Sequence, residues 1–391
     1  MIALFRYLKE NLLFFLLAIC IHVSPMPLMG WTQYLYILAF AFIAIYAFEN
    51  GRESYKADTF WCFIGVCFLA SLVNVELDIR LFFFSVAIII LSPITYSLKL
   101  AVFRERLLRF LLMASPVLAI VSLYCYRNGI NMMEYNDATG IEWNFCALYG
   151  HPMFLSAIMG LSTVVSTWNA LSTRNFYMKI LWTLSILLSV YLTVISASRT
   201  ALTASILCAA GLVIFNTKNF GRFIKYSIII ALLAMVAVPV FYEKSGRIQD
   251  KMEASSDKKY GSRSGIFDDG FEHFEKQPIL GCGFAVQYRD GKRYTGRFEA
   301  GSGWLSILFQ TGIVGFCVML GILCKIMRNI RFLRNDHNLQ FFFFAFVYLC
   351  LHSCFEGYIL SIGNINFMIF WLFVSVLYTY QHTCMLRMNF T

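Results

Sequence analysis

Long apolar runs make up most of this chain, and charged residues gather in the short gaps between them. A helix that crosses a membrane needs about 20 mostly apolar residues. By that measure the runs predict about twelve spans, at roughly 8–24, 31–48, 59–75, 80–97, 107–126, 145–168, 177–195, 199–215, 224–242, 303–325, 340–357 and 362–380. The two runs flanking Ser196–Thr200 are tightly spaced and read either as one broken helix or as two short ones. The first run, Asn11–Val23, has no small-x-small cleavage site and is expected to stay as the first span. No internal repeat and no low-complexity tract is visible.

One interval breaks the pattern. From Phe241 to Trp304 the chain is polar and nearly neutral, with eleven Lys or Arg against ten Asp or Glu. It still carries Phe267, Phe271, Phe274, Ile279, Leu280 and Phe284, too many large apolar residues for a disordered linker. Ile266, Phe267, Phe271 and Phe274 recur at helical spacing. Pro278 is expected to end that helix, and Gly281 with Gly283 to form a turn. The expectation is an amphipathic helix lying on the membrane surface. The chain thus divides into 1–242 with nine spans, 243–302 as a large loop, and 303–391 with three spans and a tail.

The distribution of charge gives the orientation. Lys and Arg mark cytoplasmic loops. With the N-terminus inside, eighteen of the 32 Lys and Arg fall in cytoplasmic segments and three in short outer loops, Arg80, Arg127 and Arg199. Both termini are therefore expected in the cytoplasm and the large loop outside, where a second loop, Arg127–Asn144, carries Glu134, Asp137 and Glu142. The net charge of +10 is then mostly a topology signal. The cytoplasmic loops are too short for a nucleic-acid recognition fold. Composition agrees with a polytopic membrane protein, since 14% of residues are charged against about 25% in soluble domains. The twelve cysteines lie mostly inside apolar runs and form no metal-spaced cluster, which reads as neither a disulfide framework nor a zinc site.

Four places carry candidate chemistry. In Ser196-Ala197-Ser198-Arg199-Thr200, a guanidinium opens a helix between Ser198 and Thr200, a combination that favours a phosphate-type anion; the plain alternative is an arginine snorkelling at a helix end. Arg263, just before the amphipathic helix, would form a second arm of a pyrophosphate clamp, with Arg289, Arg293 and Arg297 as rivals. His352 and Glu356, four apart, would share a helix face near the outer end of the eleventh span; they are either a functional pair or a polar lock between helices. His151 before Pro152 is either a helix cap or a binding residue. The acids Asp268, Asp269, Glu272 and Glu299 read mainly as a solvated face, and the glycines of Glu299–Leu305 as flexible backbone entering the tenth span. There is no Walker loop, no dinucleotide fingerprint and no Asp-x-Asp that would hold a sugar nucleotide through a metal.

Taken together, SASRTAL (196–202), RSGIF…GFEHFEKQPILGCGF (263–284), SGWLSILFQTGIVG (302–315) and HSCFEGY (352–358) resemble the bacterial O-antigen polymerase and ligase superfamily over roughly Gly150–Trp371. The resemblance implies an all-α polytopic membrane protein of GT-C-like type, a metal-independent glycosyltransferase with no cofactor, and an outer, periplasmic loop that binds a lipid-linked diphosphate. It maps the two family arginines onto Arg199 and Arg263. The implied partners are undecaprenyl-diphosphate-linked glycan as donor and acceptor, membrane lipids, and a chain-length regulator protein. One departure stands out: where the ligases carry a His-Asn pair, this chain has Gly301-Ser302, which looks more like a polymerase. The general base stays open between His352 and Glu356. A ligase, or in another class a transporter such as a lipid flippase, remains the alternative.

Overall fold

A computed structural model describes residues 2–51, 57–75, 77–133, 145–216, 264–289, 292–295 and 301–390. Eight helices precede the large loop: α1 (Ile2–Val23), α2 (Tyr34–Asn50), α3 (Asp58–Val73), α4 (Ile79–Leu91), α5 (Leu98–Arg127), α6 (Pro152–Ser172), α7 (Phe176–Ile195) and α8 (Arg199–Asn216). Then come α9 (Ser264–Lys276), an antiparallel hairpin of β1 (Val286–Arg289) and β2 (Lys292–Thr295), α10 (Gly303–Met327) running into a 3-10 turn (Arg328–Phe332), α11 (His337–His352) and α12 (Ile365–Phe390). Among the described residues the fold is helical apart from that hairpin. Six of the described helices, α5 to α8, α10 and α12, are long and apolar enough to cross a membrane, and five shorter ones are also apolar. The chain is thus a multi-pass membrane protein. The expected span at 224–242 and the acidic outer segment 134–144 lie outside the described residues.

Helix starts follow local capping chemistry. The side chains of Asp78, Ser97, Asn175, Ser302 and Asp336 each accept a hydrogen bond from a first-turn amide of α4, α5, α7, α10 and α11. The core centres on α12, where Phe367, Phe370, Trp371 and Phe373 are fully buried. It packs against α5, α10 and α11; α6 lies among α5, α7, α8 and α11. On α7, Leu181, Leu184 and Leu187 stay exposed, as lipid-facing positions would.

Arg104 departs from the sequence expectation of a loop position. It lies inside α5, fully buried. Its guanidinium donates to Thr95 O at 2.9 Å, Thr95 Oγ1 at 2.8 Å and Ser375 Oγ at 3.1 Å, and also to Ile90 O. Ile90 O belongs to the last turn of α4, where carbonyls lack helical partners. The arginine therefore ties the end of α4 to α5 and α12.

The feature that shapes the region around α9 and the end of α3 is a break in α10. Gly312 has φ 66° and ψ −169°, a conformation open essentially to glycine alone. The backbone groups freed by the break are taken up by the segment after α9. Cys282 N donates to Phe309 O at 2.9 Å and Gly283 N to Gln310 O at 3.1 Å, while Ile313 N donates to Pro278 O at 2.9 Å and Val314 N to Ile279 O at 3.3 Å. Ala285 N reaches Gln310 Oε1 at 2.9 Å, Phe284 N reaches Ser71 Oγ at 3.0 Å, and Asn74 Nδ2 donates to Gly281 O at 3.0 Å. The Pro-Ile-Leu-Gly-Cys-Gly turn is thus a wedge in α10, also held by the end of α3.

Gly312→Ala is expected to lower the melting temperature of the detergent-purified protein sharply. The backbone strain alone is of order 1–3 kcal/mol, and a Cβ there would lie 2.2 Å from Ile279 O. Gly321→Ala in the same helix, where a Cβ meets nothing within 4 Å, should leave the melting temperature within about a degree or raise it, since alanine is the better helix former.

Candidate functional site

The α7–α8 junction resolves the sequence ambiguity: there are two helices. Ser196 N closes α7 on Leu192 O at 3.0 Å, and Ala197 then turns with φ 55°. Ser198 Oγ caps α8 by accepting from Ala201 N at 3.4 Å. Arg199, exposed, is the first residue of α8, and Thr200 follows half-buried. A buried alanine in the left-handed region costs conformational energy, and this one sits two residues before the arginine it aims.

The register between α8 and α11 places that junction. The two run antiparallel: Asn216 Nδ2 donates to Gln340 Oε1 at 3.0 Å, and the rings of Phe215 and Phe344 meet at 5.5 Å. A Cβ on Gly211 would come within 2.6 Å of the Phe344 ring. Continuing from these pairs, His352 stands level with about Thr203–Leu207, so Arg199 lies one to two turns beyond it, about 6–12 Å along the axis. Arg199 and His352 therefore share one end of the bundle.

His352 closes α11 and is buried. Its ring is stacked between Tyr348, with centroids 5.7 Å apart, and Tyr358, also at 5.7 Å. Both tyrosines are held at their hydroxyls. Tyr348 Oη donates to Ala157 O at 3.1 Å and approaches Ser156 O at 3.3 Å; Tyr358 Oη donates to Leu349 O at 2.6 Å. Tyr348 can lie on α6 because residue 160 is glycine: a Cβ there would sit 2.0 Å from the hydroxyl. Glu356 is buried as well. It does not share a helix face with His352, contrary to the sequence expectation. α11 stops at His352 because the carbonyls of Ser353 and Glu356 turn to accept from Gly303 N, at 2.8 and 3.0 Å.

That pair of bonds joins the start of α10 to the same place. Ser302 Oγ caps α10 through Leu305 N and approaches Ser353 O at 3.4 Å, and Trp304 Nε1 donates to Cys350 O at 2.9 Å. A Cβ on Gly303 would lie 2.8 Å from Ile359. Gly303, expected to give flexibility, instead permits close packing, and Gly301 holds a turn at φ 66°. The N-termini of α6, α8 and α10 and the C-terminus of α11 thus surround His352 and Glu356. Helix N-termini carry partial positive charge, so this end of the bundle suits an anion.

The other expected residues divide. His151 caps α6, its Nδ1 accepting from Met153 N at 3.2 Å, which is the structural role. Arg263 lies outside the described residues, immediately before α9. Helix α9 covers the predicted positions and rests on α10: Phe271 meets Phe309 at 5.2 Å, and a Cβ on Gly270 would strike that ring at 2.2 Å. Arg289 and Arg293 sit on opposite strands of the hairpin, paired with Lys292 and Tyr288. Asp268 is exposed and Asp269 half-buried, while Glu299 lies outside the described residues. Lys276, hydrogen-bonded to Glu272 at 2.7 Å, holds that carboxyl below its usual range. Partial burial, then the charge of Lys276, lowers the His273 imidazole. Glu272 is thereby spent in a solvated i,i+4 pair. Sequence reasoning missed Tyr348, Tyr358 and Gly160. The spacing of Tyr348, four before His352, was the available signal for one of them.

Residues 184–320 match a family model described as O-antigen ligase. The match runs from α7 through the Ser196–Thr200 junction and α9 to the broken half of α10. No curated protein matches the chain.

Ala197→Val, which puts a branched side chain at positive φ, is expected to cost about 1–3 kcal/mol and to lower the melting temperature; Ala197→Gly should not lower it. Unchanged melting of the valine variant would remove the strain assigned to this turn.

Proposed function

We propose, from the match of residues 184–320 to a family model described as O-antigen ligase, that the chain is a glycosyltransferase of the O-antigen ligase and polymerase superfamily. In this reading it joins undecaprenyl-diphosphate-linked oligosaccharide repeats into O-antigen or capsular polysaccharide. The reaction runs on the periplasmic side of the inner membrane, with both termini cytoplasmic and twelve spans once 224–242 is counted. The observation that carries the reading is the gathering of Arg199, three helix N-termini, His352 and Glu356 at one end of the bundle.

The chemistry follows from that arrangement. An acceptor sugar hydroxyl attacks the anomeric carbon of the donor glycan. The bond from that carbon to the diphosphate oxygen breaks, and undecaprenyl diphosphate leaves with the electron pair. Arg199 and Arg263 meet the charge that grows on the leaving diphosphate; fixed groups aimed at developing charge usually contribute most to catalysis of this kind. Ser198 and Thr200 add hydroxyl donors beside the guanidinium, and Arg289 and Arg293 are further candidates for binding the substrate. Glu356 takes the acceptor proton. His352, its plane clamped by two anchored tyrosines, positions Glu356 and the acceptor. His151 acts by capping α6 near the site.

Polymerase is favoured over ligase by the start of α10. Ser302 is buried and its hydroxyl is occupied as a cap, and the space at Gly303 is filled by Ile359. The place of the ligases' His-Asn pair is here Gly301-Ser302, and Gly301 has φ 66°, a backbone conformation uncommon for residues with a side chain. A transporter reading would draw on the discontinuous α10. The wedge of 278–283 already satisfies that break, so no ion is required there.

Arg199→Ala is expected to reduce polymer formation by about 10²- to 10³-fold, with normal protein level, when surface polysaccharide is resolved by gel. The polymerase reading predicts that the remaining lipid A core carries a single repeat. A bare core with accumulated lipid-linked polymer would assign the ligase activity instead, and long chains persisting at normal protein level would defeat the role of Arg199. Glu356→Gln should be as damaging, and Tyr358→Phe mild. The reverse order would move the base away from Glu356.

A further inference from the structure

At the opposite end of α10 from this site, a short ridge carries features that glycosyl transfer does not use. We infer that the ridge Met327–Arg334 binds the headgroups of anionic phospholipids. The inference rests on the chain's being a membrane protein; it does not depend on the reaction or on which leaflet the ridge faces.

The ridge is a rigid element with two kinds of side chain. Its inner face is locked to α11 and α12. Asn329 Nδ2 donates to Leu377 O at 2.7 Å, Gln381 Nε2 donates to Asn329 Oδ1 at 2.7 Å, and Gln340 Nε2 donates to Leu333 O at 2.5 Å. Asn329 and Leu333 are buried. The outer face presents Arg328, Arg331 and Arg334, all exposed. In a 3-10 turn, residues three apart eclipse one another, so Arg328 and Arg331 align on one side, with Arg334 just past its end. Among the described residues these three arginines form no ion pair. The nearest acid in sequence, Asp336, is committed to Leu339 N at 2.9 Å and to the Tyr380 hydroxyl at 2.7 Å. Arg109 of α5 stands at the same end, donating to Asn338 at 3.2 Å.

Between the arginines lie Met327, Ile330 and Phe332, which are 44%, 39% and 40% exposed. A basic loop that served topology alone would need only its charge count. It would not need apolar side chains held outward on a fixed backbone. Guanidinium groups at the level of lipid phosphates, with apolar side chains reaching the acyl boundary, make an interfacial lipid contact. A soluble anion would engage the arginines and leave the three apolar residues exposed, so the lipid is the occupant that covers both.

The test uses the full-length protein in detergent, titrated with phosphatidylglycerol or phosphatidylcholine and read by native mass spectrometry. The wild type is expected to hold phosphatidylglycerol in preference to phosphatidylcholine. Arg328→Gln/Arg331→Gln/Arg334→Gln should weaken that binding at least about fivefold, the contribution of one basic residue near such a surface. Removing these charges can also disturb membrane insertion, so a second variant, Ile330→Ser/Phe332→Ser, keeps every charge and should also weaken phosphatidylglycerol binding. Equal binding by wild type and both variants would overturn the proposal. So would displacement of the lipid by inorganic phosphate at constant ionic strength, which would mark a free-anion site. Loss of polymer in the Arg199 variant with lipid binding unchanged would leave this inference standing by itself.

Discussion

A helix that crosses a membrane cannot leave backbone groups unpaired, because the hydrocarbon offers no water to replace them. The break in α10 at Gly312 frees two carbonyls and two amides, and the neighbouring segments are arranged around meeting that demand. The segment 278–283 supplies four matching bonds and brings the end of α3 and the base of α9 with it. Two stretches that look like separate motifs in sequence, one in the loop and one in the tenth span, are a single hydrogen-bonded unit. The conformation of Gly312 and the close approach at Gly281 are conditions for that unit to exist.

The consequence for the candidate site is positional. With its lower half fixed by the wedge, the first turns of α10 present Ser302–Trp304 to the end of α11. There they stop α11 at His352 and turn Glu356 inward. On the other side, the Gly160–Tyr348 contact pulls α11 against α6, and the register with α8 brings Arg199 to the same end. Cationic and imidazole groups from α8 and α11 and an acid from the segment after α11 come to the same end of the bundle. Arg199 and His352 are fixed by helix termini, and the Glu356 segment by its carbonyl bond to Gly303 N.

The charge pattern works at both ends of the bundle but by different means. At the candidate site, the described positive character comes from groups in fixed positions, Arg199 and several helix N-termini. At the far end, it comes from many arginines, three of them on a rigid ridge. Arg104, which counts as a loop charge by position, belongs to neither group. It is buried and serves the carbonyls at the end of α4, so a count of cations by sequence position overstates the solvent-facing charge.

Apolar runs and their breaks determined where most of the described helices lie, since a spanning segment must be long, apolar and internally hydrogen-bonded; six of those helices reach the length of a span. The amphipathic helix over 264–276 was equally legible, because its apolar spacing and Pro278 are local signals. Arg199 at a helix start was readable for the same reason. Tertiary structure decided what depends on distant partners. The end of α11 at His352 and the inward turn of Glu356 rest on bonds to residues far along the chain. So do the break in α10 and the tyrosine clamp on His352. Periodicity reports which face of a segment is apolar; it holds no information about which backbone group from another segment will meet an unpaired carbonyl.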